Sequence, residues 1–165
     1  MKRIILLLIV SVMLTGCGAV SDLEVVQDEI VGESIPVYYD LKIALPEEAS
    51  SPTLVADDGA LYICDDFNIA VQKLPVSGIE KAVETITGLD HDRLTIIKTS
   101  KDGLPCYRFA WTVAGEATAQ SCIAMLLDDG MYYHAVTIMA DASLAGGLQP
   151  QWNAIFDSVR AISIG

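Results

Sequence analysis

Three Asp-Gly pairs, each lying between two runs of alternating apolar residues, restrict the fold of this chain more than any other feature. The pairs are Asp58-Gly59, Asp102-Gly103 and Asp129-Gly130. Aspartate followed by glycine tolerates the positive backbone angles that tight hairpin turns require. Each pair therefore predicts a turn between two antiparallel strands. The runs joined in this way are 53–56 with 60–64, 94–99 with 105–113, and 119–127 with 131–139.

Helical spacing occurs in two segments. Ser77 and Glu80 match a capping box, in which the serine caps the start of a helix and the glutamate reaches back, and Gly88 suits its end. A second helix is predicted to begin near Pro150, because proline is favoured in the first helical turn. The apolar positions are Ile79, Ala82, Val83 and Ile86 in the first segment and Trp152, Ile155, Phe156 and Val159 in the second.

A two-residue period predicts further strands at 39–45, 68–74 and 161–164. With the three hairpins, these make nine predicted strands, of which about six to seven are expected to form one antiparallel β-sheet. Both faces of 119–127 and 131–139 are largely apolar, which indicates a sheet that is covered on both sides. We therefore expect an α+β domain whose sheet is covered on both sides, at least in its middle.

Three cysteines lie within this domain: Cys64, Cys106 and Cys122. An odd number allows one disulfide at most. A turn near Gly115 places Cys122 opposite Ala110, so Cys106 and Cys122 would be separated by about 13 Å along the hairpin. That separation exceeds the distance that a disulfide can bridge, and buried, unreactive thiols are expected instead.

The first seventeen residues have the layout of a secretory signal. A basic start, Met1-Lys2-Arg3, precedes an apolar run at 4–13 that is too short to span a bilayer stably. The end of the segment, Leu14-Thr15-Gly16-Cys17, resembles the bacterial lipoprotein box. That resemblance implies cleavage between Gly16 and Cys17, lipidation of the Cys17 sulfur, and anchoring in the lipid bilayer by two or more acyl chains.

The expected organisation follows from these boundaries. Residues 1–16 form a cleaved signal, 17–34 form the lipidated cysteine with an acidic tether, and 35–165 form a single domain. A tether segment that docks on the domain as a short strand or helix is the alternative for 18–34. The protein would then be located at the cell membrane, lipid-anchored, on its extracytoplasmic face.

Charge and missing motifs exclude several function classes. Twenty-two acidic residues against ten Lys and Arg give a net charge of −12, and no basic cluster is present that could neutralise phosphates. A nucleic-acid partner is therefore excluded. The sequence has no nucleophile elbow, Walker loop, HExxH or CxxC motif. We expect no enzymatic activity, no catalytic residues and no cofactor.

Asp90, His91 and Asp92 form the one place where an imidazole lies among carboxylates, so they are weak candidates for a metal site. A solvated loop after the end of the first helix is the favoured interpretation, because polar residues are expected there. His134, in the middle of a strand, is expected to be a hydrogen-bonded core or half-exposed histidine. The acid pairs at the hairpin turns lack the spacing of a calcium loop.

Aromatic residues supply the candidate contacts with a partner. Tyr107, Phe109 and Trp111 share one face of a strand, which is typical of core residues. By alternation, the exposed aromatic residues are expected to be Tyr38, Tyr62 and Tyr132.

The order of these elements resembles the PsbP-like family, which includes DcrB-type bacterial lipoproteins. The matching segments are Ile43-Ala44-Leu45-Pro46, Asp102-Gly103, Asp129-Gly130-Met131-Tyr132-Tyr133 and the terminal helix from Trp152 to Val159. The resemblance covers about residues 35–164 and implies a sheet with helices on both faces but no common catalytic residues. Family members typically serve as binding or assembly-supporting modules. The expected function is therefore a membrane-anchored, non-catalytic protein-binding or envelope-assembly module. The alternative is a solute- or metal-binding lipoprotein.

Overall fold

The computed structural model describes residues 37–75, 77–115 and 118–164. Within them the chain forms nine β-strands and two α-helices. These are β1 (Tyr39–Lys42), β2 (Leu54–Ala56), β3 (Gly59–Ile63), β4 (Phe67–Pro75), α1 (Ile79–Thr87), β5 (Ile97–Lys101), β6 (Leu104–Val113), β7 (Gln120–Asp128), β8 (Tyr132–Asp141), α2 (Ala145–Ser158) and β9 (Arg160–Ser163). Single turns of 3-10 helix cover Glu47–Ala49 and His91–Arg93.

Seven strands form one antiparallel sheet in the order β2-β3-β4-β8-β7-β6-β5. The expected antiparallel sheet of about six to seven strands is thus confirmed. β1 and β9 instead pair with each other as a separate two-stranded sheet, which we call the ribbon. Neither helix in the described ranges is long and apolar enough to cross a membrane.

Neighbouring residues of the central strands belong to two different hydrophobic clusters. The first cluster contains Val136 from β8 with Trp152 and Phe156 from α2. The second contains Ala135 from β8 with Val83 from α1. Because adjacent residues of a strand point to opposite faces of a sheet, the two clusters draw on opposite faces of the seven-stranded sheet.

Hairpin turns occur at all three predicted places, but the first consists of Asp57 and Asp58, and Gly59 is already the first residue of β3, without a positive φ. Between β5 and β6, Asp102 and Gly103 have φ angles of 52° and 83°. Two successive positive angles are the signature of the hairpin turn whose twist matches that of the flanking strands. Gly88, with φ of 69°, ends α1 in the left-handed conformation, as the sequence indicates.

The predicted beginnings of both helices are wrong. Gly78 occupies the N-cap position of α1, so Ser77 lies one residue too early, and no side chain caps this helix end. α2 begins at Ala145 and has Pro150 inside it. Its earlier start follows a turn in which the Asp141 carboxylate accepts hydrogen bonds from the Ser143 backbone N–H at 2.8 Å and hydroxyl at 2.6 Å.

Two strand boundaries differ from the prediction by three residues. β1 ends at Lys42 instead of 45, and beyond its end the Ala44 backbone N–H donates to the Ser158 hydroxyl at 3.0 Å. β5 begins at Ile97 instead of 94, since the 3-10 turn at His91–Arg93 precedes it.

Candidate functional site

The positions predicted for cleavage and lipidation, Gly16 and Cys17, lie outside the described residues, as does the tether at 18–34. They stay predictions from the sequence.

The three candidate tyrosines lie on different elements. Tyr38 precedes β1 and is 44% exposed, as expected. Tyr62 on β3 is half-buried against the first cluster, and Tyr132 at the start of β8 is half-buried beneath the Lys73 ammonium, 4.2 Å from the ring centroid. The expectation of exposure is therefore wrong for these two. Their partners on β4, Ile69 for Tyr62 and Pro75 for Tyr132, are about 20 Å apart along that strand.

Tyr38 instead belongs to an apolar face of the ribbon. The Ile164 backbone N–H donates to the Tyr38 carbonyl at 2.8 Å, and Asp40 pairs with Ile162. Alternation along both strands therefore places Tyr38, Ile162 and Ile164 on one side. The two isoleucines are 45% and 55% exposed, whereas Leu41 on the other side packs against the first cluster. The sequence pattern predicts the strand at 161–164 but does not reveal its outward isoleucines, because the side on which they lie depends on the pairing with β1.

A polar groove of about 510 Å³ contains the weak metal candidates. Its lining residues are Ser77, Glu80, Lys81, Glu84, Asp90, His91, Asp92 and Arg93. His91 Nδ1 contacts Asp92 Oδ1 at 3.2 Å, yet the Asp92 side chain is 99% exposed. No group of three His, Cys, Asp or Glu side chains in the described part of the chain is placed to hold a metal ion. Asp90, His91 and Asp92 are thus not brought together as ligands.

A buried pair links the β7–β8 turn to the core. A hydrogen bond of 2.7 Å joins His134 Nε2 to Asp129 Oδ2, and the two side chains are only 4% and 2% exposed. Asp129 Oδ1 also accepts the backbone N–H groups of Met131 at 2.8 Å and Tyr132 at 2.6 Å. This geometry confirms a hydrogen-bonded core histidine. The sequence pattern indicates only a turn at Asp129, and its hydrogen bond with His134 is not predicted.

The electrostatics of this turn favour an ionised Asp129. Burial acts to raise the pKa of the carboxyl group, but the hydrogen bonds from His134, Tyr132 and Met131 outweigh it and hold the pKa below its usual value. Burial, together with the neighbouring Asp128 carboxylate, raises the pKa of Tyr133 to about 12. The arrangement fixes the turn and leaves the tyrosine neutral.

The three thiols are buried and free. Cys122 pairs with Trp111, not with Ala110, so the predicted hairpin register is wrong by one residue. The conclusion that Cys106 and Cys122 do not form a disulfide holds, since Cys106 belongs to the first cluster and Cys122 to the second. Burial raises the pKa of Cys122, and burial together with nearby acids raises that of Cys64. Protonated thiols of this kind are poor nucleophiles.

Comparison with known proteins identifies the fold. No known family profile matches the sequence, and no curated protein matches it significantly. The solution structure of cyanobacterial PsbP (CyanoP) from Synechocystis is similar, with a TM-score of 0.54 and 12% identity over 79% of this chain and 96% of that chain. The crystal structure of LpqN from Mycobacterium tuberculosis, described as involved in cell envelope biogenesis, has a TM-score of 0.51 and 10% identity over 78% of this chain and 87% of that one. The chain therefore has a PsbP-like fold.

Proposed function

We propose that this protein is a lipid-anchored, non-catalytic module on the extracytoplasmic face of a bacterial cell membrane, where it binds a protein partner in envelope assembly. The ending Leu14-Thr15-Gly16-Cys17 supports the anchor. The PsbP-like fold, shared with an envelope-biogenesis protein, supports the setting. We also infer a three-layer arrangement, with α1 and α2 on opposite faces of the sheet, because the two hydrophobic clusters each contain one helix.

The main observation in favour of partner binding is the exposed outward face of the ribbon. Tyr38, Ile162 and Ile164 place an aromatic ring and two branched aliphatic side chains side by side at the surface. Contiguous exposed apolar side chains mark contact sites, whereas isolated ones are ordinary. Charged residues adjoin them on the same side of the ribbon, because Asp40 lies directly opposite Ile162 and the exposed pair Lys42 and Arg160 follows next to them. An apolar centre with a polar rim is the usual composition of a protein interface.

The anchor is tested by labelling cells with a radioactive fatty acid and analysing the denatured protein. The wild type should incorporate label, and Cys17→Ser should not. Cys64→Ser is the matched control and should keep the label. Loss of the anchor should also move the protein from the membrane to the soluble fraction. Unchanged membrane retention of Cys17→Ser would refute the proposal.

The contact face is tested by cross-linking in cells, followed by affinity capture of the intact protein. Ile162→Asp should abolish capture of a stoichiometric partner, because a charge replaces an apolar contact at the centre of the face. Val55→Asp on β2 is the control, since Val55 is even more exposed but lies on the other sheet. Capture of the same partner at the same yield by Ile162→Asp would exclude this face.

The alternative, a solute- or metal-binding lipoprotein, has less support. Its metal version requires Asp90, His91 and Asp92 to converge, and they do not form a ligand set in the described chain. A rise in melting temperature with zinc, manganese or calcium would restore it.

A further inference from the structure

A small pocket with two cations lies where the end of α2 approaches the sheet. It has a volume of about 180 Å³, and its lining residues are Thr99, Ser100, Lys101, Cys106, Arg108, Met125 and Asp157. Roughly six water molecules would occupy that volume at about 30 Å³ each. The pocket is therefore of the right size for a small ion and too small for a drug-sized ligand.

Arg108 is the central side chain of this pocket. It projects from β6, between its pairing partners Ile97 on β5 and Met125 on β7. Its guanidinium carbon lies 4.9 Å from the centroid of the Phe156 ring, which supports the side chain from the α2 side.

Two donors of the Arg108 guanidinium lack acceptors in the described part of the chain. Its Nε and Nη2 are buried, and no hydrogen-bond partner for either is found in the described ranges. These two nitrogens form the edge that pairs with two oxygens of a carboxylate or phosphate at once. Buried charged donors without an acceptor are unfavourable and rare, so this edge is incomplete by itself.

Lys101 supplies a second positive charge. Its ammonium donates to the Asp157 backbone carbonyl at 3.3 Å. No carboxylate of the described chain lies within 4.0 Å of the Lys101 or Arg108 nitrogens. This is unusual in a protein with more than twice as many acidic as basic residues. Asp157 is the one acidic residue lining the pocket, so the lining carries net positive charge.

We propose that this pocket binds a small oxyanion of the phosphate class, held by the Nε–Nη2 edge of Arg108 and by the ammonium of Lys101. Both Arg108 nitrogens are shielded from water, so the guanidinium must turn from Phe156 toward the pocket as the oxyanion enters. This rotation of the guanidinium replaces a cation–π contact with charge-assisted hydrogen bonds, which are the stronger interaction. The hydroxyls of Thr99 and Ser100 provide further donors at the pocket.

The test is thermal unfolding of the purified full-length protein in inorganic phosphate, compared with sodium chloride at equal ionic strength. At phosphate concentrations about ten times the dissociation constant, the melting temperature should rise by about 3 °C or more above the chloride value. Arg108→Gln should abolish the phosphate-specific rise. Lys101→Gln, at the rim, should weaken phosphate binding several-fold and keeps the test valid if Arg108→Gln does not fold.

Lys98→Gln is the matched control. Lys98 lies on β5, as Lys101 does, but its ammonium is 5.4 Å from the ring centroid of Tyr107, which packs against the second cluster. This variant should leave the rise unchanged. No phosphate-specific rise in the wild type, or a rise kept by both pocket variants, would overturn the proposal. Co-sedimentation with vesicles containing phosphatidic acid then separates a lipid headgroup from free phosphate as the source of the oxyanion.

Discussion

Replacing Asp129 by alanine tests the link between the β7–β8 turn and the core. The substitution removes the acceptor of three hydrogen bonds, those from His134 Nε2 and from the Met131 and Tyr132 backbone N–H groups. The substitution leaves the buried His134 N–H without its acceptor, and a buried hydrogen-bond donor left unpaired costs about 1–3 kcal/mol. We expect Asp129→Ala to lower the free energy of unfolding at pH 7 by about this amount.

The pH dependence of the stability difference provides a second, independent test of this prediction. The pKa of Asp129 is lower in the folded protein than its ordinary value, which is about 3.9 in an unfolded chain. Its contribution is therefore fully present above that value and is lost as the pH falls through the lower, folded pKa. The stability difference between wild type and Asp129→Ala should accordingly shrink below about pH 4.

Urea unfolding followed by circular dichroism, repeated from pH 7 to pH 3, measures both effects. Asp57→Ala is the control, since Asp57 is an exposed turn acid and its removal should change the stability by less than about 0.5 kcal/mol. A loss below about 1 kcal/mol for Asp129→Ala, or a difference that does not change with pH, would refute this reasoning.

Three further predictions concern the core, the end of α1 and the thiols. Phe156→Ala should lower the free energy of unfolding by about 3–5 kcal/mol in the same urea assay, because Phe156 is fully buried in the first cluster. Gly88→Ala should cost about 1 kcal/mol there, since φ of 69° is unfavourable for a residue with a Cβ. Cys64, Cys106 and Cys122 should resist a thiol reagent in the native protein and react once it is unfolded; rapid native labelling would show that the fold opens locally.

Local signals in the sequence were sufficient to predict most of the strands. Turns at Asp102-Gly103 and Asp129-Gly130 depend on neighbouring residues, so their positions could be predicted directly. The start of α2 could not, because Gly146 and Gly147 are poor helix formers and Pro150 normally begins a helix rather than lying inside one. Ala145 lies in the first cluster and Leu148 packs against it, so tertiary packing adds to the Asp141 turn in supporting the earlier start.

The candidate sites were less accessible to prediction, because they depend on pairing between distant segments. The side on which Ile162 lies follows from its pairing with Asp40. That two buried donors of Arg108 have no acceptor can be seen only in the folded structure, where Phe156 of α2 packs against Arg108 of β6. Alternation predicted the exposure of Tyr38 correctly, but it could not show that Lys73 covers Tyr132.

The ribbon has a consequence for the order of folding. Its two strands are separated by more than one hundred residues of sequence, yet they are joined by four residue pairs and the flanking hydrogen bond from Ile164 to Tyr38. Closing so long a loop carries a large entropic cost that few contacts offset, so β1 and β9 should pair only after the seven-stranded sheet has formed. The face that contains Tyr38 and Ile162 would then be assembled last, and a partner that recognises it would distinguish a fully folded chain from a nearly folded one.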